Sequence, residues 1–248
     1  GSQLALYPNM NVTDLVWRKL NRDARFRQAL SLAINRSEIN QVIYYGLCLE
    51  ANNLVLPDSP LYKAEYSQAY ANFDPARANA LLDEIGLTER KSDGIRLLPD
   101  GRPLEIIVET AGENTEEVDV LELISDSWRQ IGVKLFTKPS QREVLRNRIY
   151  AGETVMAMWF GYENGIPTSF TSPEEFVPVR QTSYHWPMWG QYAETSGNSG
   201  EPVDMEKPKR LLELYHAWIA AKSKDERVAA WDEILQIHAE EIYTIGIV

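Results

Sequence analysis

The stretch "LEIIVETAGENTEEVDVLELISDSWRQIGVKLFTKPSQREVLRNRIYAGETVMAMWF", residues Leu104–Phe160, decides the fold. Apolar runs of strand length alternate in it with longer segments of helical period. The spacing predicts strands over Leu104–Thr110, Val133–Thr137 and Thr154–Phe160. Between them it predicts helices at about Thr115–Ile131, ended by Gly132, and at about Gln141–Tyr150. Strands that alternate with helices imply βαβ crossovers, and so an α/β fold with a largely parallel sheet flanked by helices.

Upstream, "NRDARFRQALSLAINRSEINQVIYYG" (Asn21–Gly46) places Phe26, Ala29, Leu30 and Ala33 at i, i+3, i+4 and i+7, the stripe of a buried helix face. Asn35 can cap a second helical segment, with Glu38 three positions on in the manner of a capping box, and Gly46 is a plausible stop. Four arginines, Arg22, Arg25, Arg27 and Arg36, are interleaved with these apolar positions and offset by Asp23 and Glu38. They read as a solvated helix face. "LVLPDSPLY" (Leu54–Tyr62) has the punctuation of an irregular loop. In "NFDPARANALLDEIGL" a helix is marked at both ends, by Asp74 at the cap, Pro75 in the first turn and Gly86 at the exit. Asp93-Gly94 and Asp100-Gly101 supply two turns around a short strand, without the ligand spacing of a calcium loop.

Downstream, residues 161–204 are rich in Pro, Gly, Ser and aromatics and show no helical period. A run that long without regular structure is functional or disordered, and Tyr162, Phe170, Phe176, Tyr184, Trp186, Trp189 and Tyr192 argue for a functional loop. Two helices follow. One carries Leu211, Leu214, Tyr215 and Trp218; the other carries Val228, Trp231, Leu235, His238 and Ile242. "TIGIV" (Thr244–Val248) reads as a final strand.

The totals exclude several classes. Of 248 residues, 44% are hydrophobic and 25% charged, the balance of a globular protein, and no apolar run approaches the ~18 residues of a spanning helix. Acidic residues outnumber basic ones 36 to 25, a net charge of −11, which argues against nucleic acid as a partner. Cys48 is the only cysteine, so neither an intrachain disulfide nor a thiolate metal cluster can form. His185, His216 and His238 include no helical zinc pair, and His238 falls on the apolar face of its helix. There is no nucleophile elbow, phosphate loop or dinucleotide fingerprint. Glu163, Glu174 and Glu175, in the aromatic segment, are the only carboxylates to consider for acid–base work. The reading is of a non-enzyme that needs no cofactor and no metal. Gly1-Ser2 reads as a tag remnant, which leaves any targeting segment unread.

Taken in order, these blocks resemble the C-terminal lobe of the dipeptide/oligopeptide-type solute-binding proteins of ABC importers, family 5. The resemblance is carried by "RFRQALSLAINR", "FDPARANALLDEIGL", "SDGIRLLPDGRPLEIIV", "SDSWRQIGVKL" and "DERVAAWDEILQIHAEEIYTIGIV", and it covers nearly the whole chain. It makes the arginine-bearing helix a structural signature. It implies a periplasmic-binding-protein-type lobe (class II, type-2 periplasmic binding fold) over residues 1–248, with segments 3–9 and 244–248 crossing a hinge to a missing N-terminal lobe. It further implies a periplasmic, or extracellular and membrane-anchored, protein that captures a peptide or oligosaccharide for ABC permease subunits in the membrane. A peptide-binding sensor or chaperone on the same scaffold is the alternative from another class.

The resemblance also indicates a ligand site within 161–204. Matching "GIPTSF" to the family's similar block puts Glu163 where peptide binders place an acid against the peptide α-ammonium, with Asn164 beside it. The family's usual residue there is Asp, so Glu163 is a departure. Trp159 and Phe160, at a strand end, are candidates to line the cleft, one of the two facing inward. Trp186 and Trp189 either stack on a sugar or pin the long segment to its own lobe.

Overall fold

The computed structural model describes all 248 residues. Strand β1 (Ala5–Pro8) is followed by helices α1 (Leu15–Arg22), α2 (Ala24–Leu32), α3 (Arg36–Tyr44), the single turn α4 (Ala64–Ser67) and α5 (Pro75–Ile85). The alternating region then runs β2 (Glu105–Thr110), α6 (Thr115–Arg129), β3 (Lys134–Pro139), α7 (Arg142–Tyr150) and β4 (Met156–Trp159). Helices α8 (Pro187–Glu194), α9 (Glu206–Ala220) and α10 (Lys224–Glu241) precede the short β5 (Ile245–Gly246).

One sheet of order β3-β2-β4-β1-β5 organises the chain. β2 pairs in parallel with β3 along its whole length and with β4 at Val108↔Met156 and Glu109↔Ala157. β1 runs antiparallel to both β4 and β5, so it alone opposes the other four strands. The short strand expected between the two Asp-Gly turns is reduced to isolated bridges, Arg90↔Arg96 and Leu97↔Pro103.

The apolar stripe of α6 (Val120, Leu121, Ile124 and Trp128) is buried in the main core with Ile106 and Val108 of β2. The Trp128 indole donates to the Leu30 carbonyl at 3.1 Å, which ties that core to α2. A second core gathers Phe176, Trp186, Trp189, Trp231 and Tyr243 with α9 and α10. Each such ring, fully buried, contributes about 1.5–3 kcal/mol. Asp74 caps α5, and Ser223 with Glu226 forms a reciprocal capping box on α10. Asn35 caps α3 by accepting from the Glu38 amide.

The arginines correct the solvated-face reading. Arg27 and Arg36 are 0% and 2% exposed. Arg27 donates to the carbonyls of Asn21, Glu241 and Ile242 and pairs with the Glu241 carboxylate. Arg36 donates to the carbonyls of Gly246, Ser31 and Ala71, and also reaches Asn52 Oδ1 and Ser31 Oγ. A guanidinium carries five donors in a fixed fork, so one buried side chain can satisfy carbonyls from several segments. These two pin the chain's last turn and last strand to α2 and α3. Only Arg25, paired with Asp23, lies on an open face as expected.

The segment 161–204 is also more ordered than its composition suggests, since it contains a 3-10 turn at Glu174–Phe176 and the helix α8. Trp186, at the N-cap of α8, supplies no capping bond. Asn11, buried far away in sequence, supplies it by accepting from the amides of Met188 (3.0 Å) and Trp189 (3.3 Å). Gly190 lets α8 lie against the Arg180–Gln181 backbone, because a Cβ there would come within 1.9 Å of the Arg180 carbonyl oxygen.

Candidate ligand-binding cleft

The parallel strands β2, β3 and β4 share a carboxyl edge, the edge where open α/β sheets place ligands. β4 ends there at Trp159. Beyond it opens a cleft of about 450 Å³, within the size range of small-ligand sites. Its aromatic wall is continuous. Trp159 meets Phe160 edge-on at 5.4 Å and Tyr184 at 5.7 Å, and Tyr184 also meets Tyr7 at 6.2 Å and Tyr150 at 6.5 Å. Outside the wall, the Arg142 guanidinium lies over the Trp159 ring at 5.1 Å while paired with Glu113.

Trp159 and Phe160 both line the cleft, against the expectation that only one faces inward. Strand alternation holds only while the strand lasts, and β4 stops at Trp159. The Phe160 carbonyl accepts a 2.6 Å bond from the Tyr7 hydroxyl of β1, and the Phe160 side chain is left 45% exposed. Burial raises the Tyr7 phenol well above its usual range, so it remains protonated and keeps donating.

Glu163 lines the cleft, is exposed, and its carboxylate has no partner. The turn that presents it is held by a second acid. The Glu175 carboxylate accepts from the Glu163 amide at 3.0 Å and from the Asn164 amide at 3.4 Å. One residue earlier, Asn53 Oδ1 accepts from the Tyr162 amide. Asn164 lies outside the cleft wall, and its side chain is engaged in a local turn by accepting from the Ile166 amide. Arg180 also lines the cleft, paired with Glu174.

Trp186 and Trp189 are corrected as ligand contacts. At 0% and 1% exposure they offer no ring face to a solute. Trp186 packs on His185 at 3.8 Å and Tyr243 at 5.2 Å, and Arg22 lies over Trp189 at 5.2 Å. They hold the segment to its own lobe. His238, on α10, donates from Nε2 to the Phe176 carbonyl at 2.7 Å, and burial lowers it to about 4, so it is neutral at pH 7.

Sequence reasoning missed Tyr7, Arg146 and Tyr150 as cleft residues. Arg146 and Tyr150 sit at i and i+4 on α7, a spacing that puts them on one face. Tyr7 comes from a strand about 150 positions away, and no local signal marks it.

The residues 2–184 match the family described as bacterial extracellular solute-binding proteins, family 5 Middle. The chain belongs to that family. It is 32% identical over 168 residues to the dipeptide-binding protein of Escherichia coli, covering 66% of this chain and 29% of that protein. A match of 20% identity to the periplasmic alpha-galactoside-binding protein of Rhizobium meliloti covers 93% of this chain and 33% of that one. Among solved structures, an oligopeptide-binding protein OppA superimposes with a TM-score of 0.87 at 33% identity, over 99% of this chain and 40% of the other. The Agrobacterium fabrum periplasmic binding protein MelB, solved with stachyose, shares the fold at a TM-score of 0.80 and 19% identity. The chain thus spans less than half the length of the relatives it matches. No helix is long and apolar enough to cross a membrane.

Proposed function

We propose that this chain is the C-terminal lobe of a two-lobed solute-binding protein, and that its cleft takes a peptide for delivery to an ABC permease from the periplasm or the extracellular face. One observation carries the reading. An unpaired carboxylate, Glu163, is presented at the mouth of an aromatic cleft by a turn that a second carboxylate, Glu175, locks through two backbone amides. An acid held ready beside apolar rings suits a peptide α-ammonium, which is costly to bury unpartnered. Closure by an N-terminal lobe would remove water and strengthen the pair. The paired end segments, with Gln3 and Val248 joined at 2.7 Å and Leu4 and Ile247 at 3.1 Å, support the expectation that residues 3–9 and 244–248 cross together to that lobe.

The test is peptide titration of the two-lobed protein. Glu163→Gln should weaken a free-amine peptide by roughly tenfold or more and leave its N-acetyl counterpart unchanged. Equal effects on both peptides would sink the assignment. A second reading, an oligosaccharide, draws support from the exposed Phe160 ring beside Trp159 and from the match to an alpha-galactoside binder over 93% of this chain.

A further inference from the structure

Three turns in the chain share one arrangement, a side-chain carbonyl folded back over a following glycine. Asp93 accepts from the Ile95 amide, Asp100 from the Arg102 amide, and Asn164 Oδ1 from the Ile166 amide at 3.0 Å. In the first two the bracketed glycine amide is occupied, Gly94 donating to the Lys91 carbonyl and Gly101 to the Leu98 carbonyl. The third differs. Gly165 is buried and its carbonyl accepts from the Leu56 amide, yet its own amide has no partner in the chain. Buried backbone amides are nearly always paired. Asn164 is exposed, and its side-chain nitrogen makes no hydrogen bond. Asn164-Gly165 is also the only Asn-Gly step in the chain. At Asn198-Ser199, where the following residue is again small, the Ser199 amide is spent on Thr195 Oγ1 at 3.0 Å.

We infer that Asn164-Gly165 is a self-modification site, at which the turn that presents Glu163 converts from asparagine to aspartate and isoaspartate, whatever the cleft binds. The Gly165 nitrogen attacks Asn164 Cγ. A C–N bond forms, the bond from Cγ to the side-chain nitrogen breaks, and that nitrogen leaves as ammonia with the proton given up by the Gly165 amide. The cyclic imide then takes up one water. Opening at Cγ gives aspartate, and opening at the backbone carbonyl gives isoaspartate, whose chain runs through Cγ. The local structure favours each stage. The bond from the Ile166 amide polarises the carbonyl under attack, the missing Cβ of Gly165 leaves the approach open, and the exposure of Asn164 lets ammonia out and water in. Both products place a new carboxylate beside Glu163 and next to the Glu175 carboxylate, which holds the Glu163 and Asn164 amides. Isoaspartate also inserts a methylene into the backbone directly after those two amides, so it loosens the turn.

The experiment ages the two-lobed protein at mildly alkaline pH, folded and in urea, and follows each asparagine by peptide mapping that separates aspartate from isoaspartate. Folded protein should convert at Asn164 ahead of every other asparagine, at a rate comparable to that of the denatured chain and with isoaspartate as the major product. Hydrogen exchange at the Glu163 and Asn164 amides should quicken in the isoaspartate fraction. Asn164→Gln, whose longer side chain closes the ring less readily, should abolish the conversion and keep Glu163 exchange constant on ageing. Conversion in urea with none in the folded protein would overturn the site, as would conversion spread evenly over the asparagines. Unchanged exchange in the isoaspartate fraction would overturn the loosening of the turn.

Discussion

At the residue scale, buried charge is used for cross-linking. Arg36 ties α2, the Ala71 loop and β5 through carbonyl acceptors that have no access to water, and burial lowers its pKa to about 9, which still leaves it charged at pH 7. Arg36→Met should cost about 3–5 kcal/mol, because it strands those carbonyls; an unfolding free energy from urea titration within about 1 kcal/mol of wild type would contradict the role. His238 gives a pH signature with a definite sign. Its folded value of about 4 lies below the ~6.5 of an unfolded histidine, so the unfolded chain binds the extra proton between those values. Its stabilising contribution is complete above pH ~6.5 and falls by about 1.4 kcal/mol per pH unit as acid is added towards the folded value. His185, buried and also pushed down, acts in the same direction. Stability measured against pH should therefore fall less steeply for His238→Gln than for wild type in that window. Parallel curves would show that the histidine is not buried neutral.

At the element scale, the legible parts are those whose signals are local. α5 and α6 carry their period, caps and exit glycines within their own sequence, and both lie close to the predicted limits. The helix α8 could not be read. It is short, it contains the helix-weakening Gly190, and its cap comes from Asn11 across the fold. Asn11→Ala should cost about 1 kcal/mol and speed amide exchange at Met188 and Trp189. Unchanged exchange there would mean that the cap is not supplied by this side chain. The antiparallel β1 was equally hidden, because four residues, "ALYP", carry no direction. The arginines were misread for a related reason: composition records their charge, while burial depends on the segments that meet around them. Of the cleft lining, Trp159 and Phe160 were legible at the end of a recognisable strand, and Glu163 only through the resemblance of "GIPTSF" to the family's block. The inward packing of Trp186 and Trp189 and the arrival of Tyr7 and Arg146 are decided by tertiary structure.

For the whole molecule, the sheet delivers an aromatic cleft at its carboxyl edge, and the Glu163 carboxylate, presented by the turn after β4, lines it. An aromatic wall serves peptides and sugars alike, and the proposed peptide reading rests on the Glu163 carboxylate. The most direct measurement is native mass spectrometry of the two-lobed protein, purified without added ligand, to identify what it carries. The structure of the cleft predicts a set of short peptide masses, depleted in Glu163→Gln. A bound series spaced by hexose units, retained by Glu163→Gln, would contradict the account.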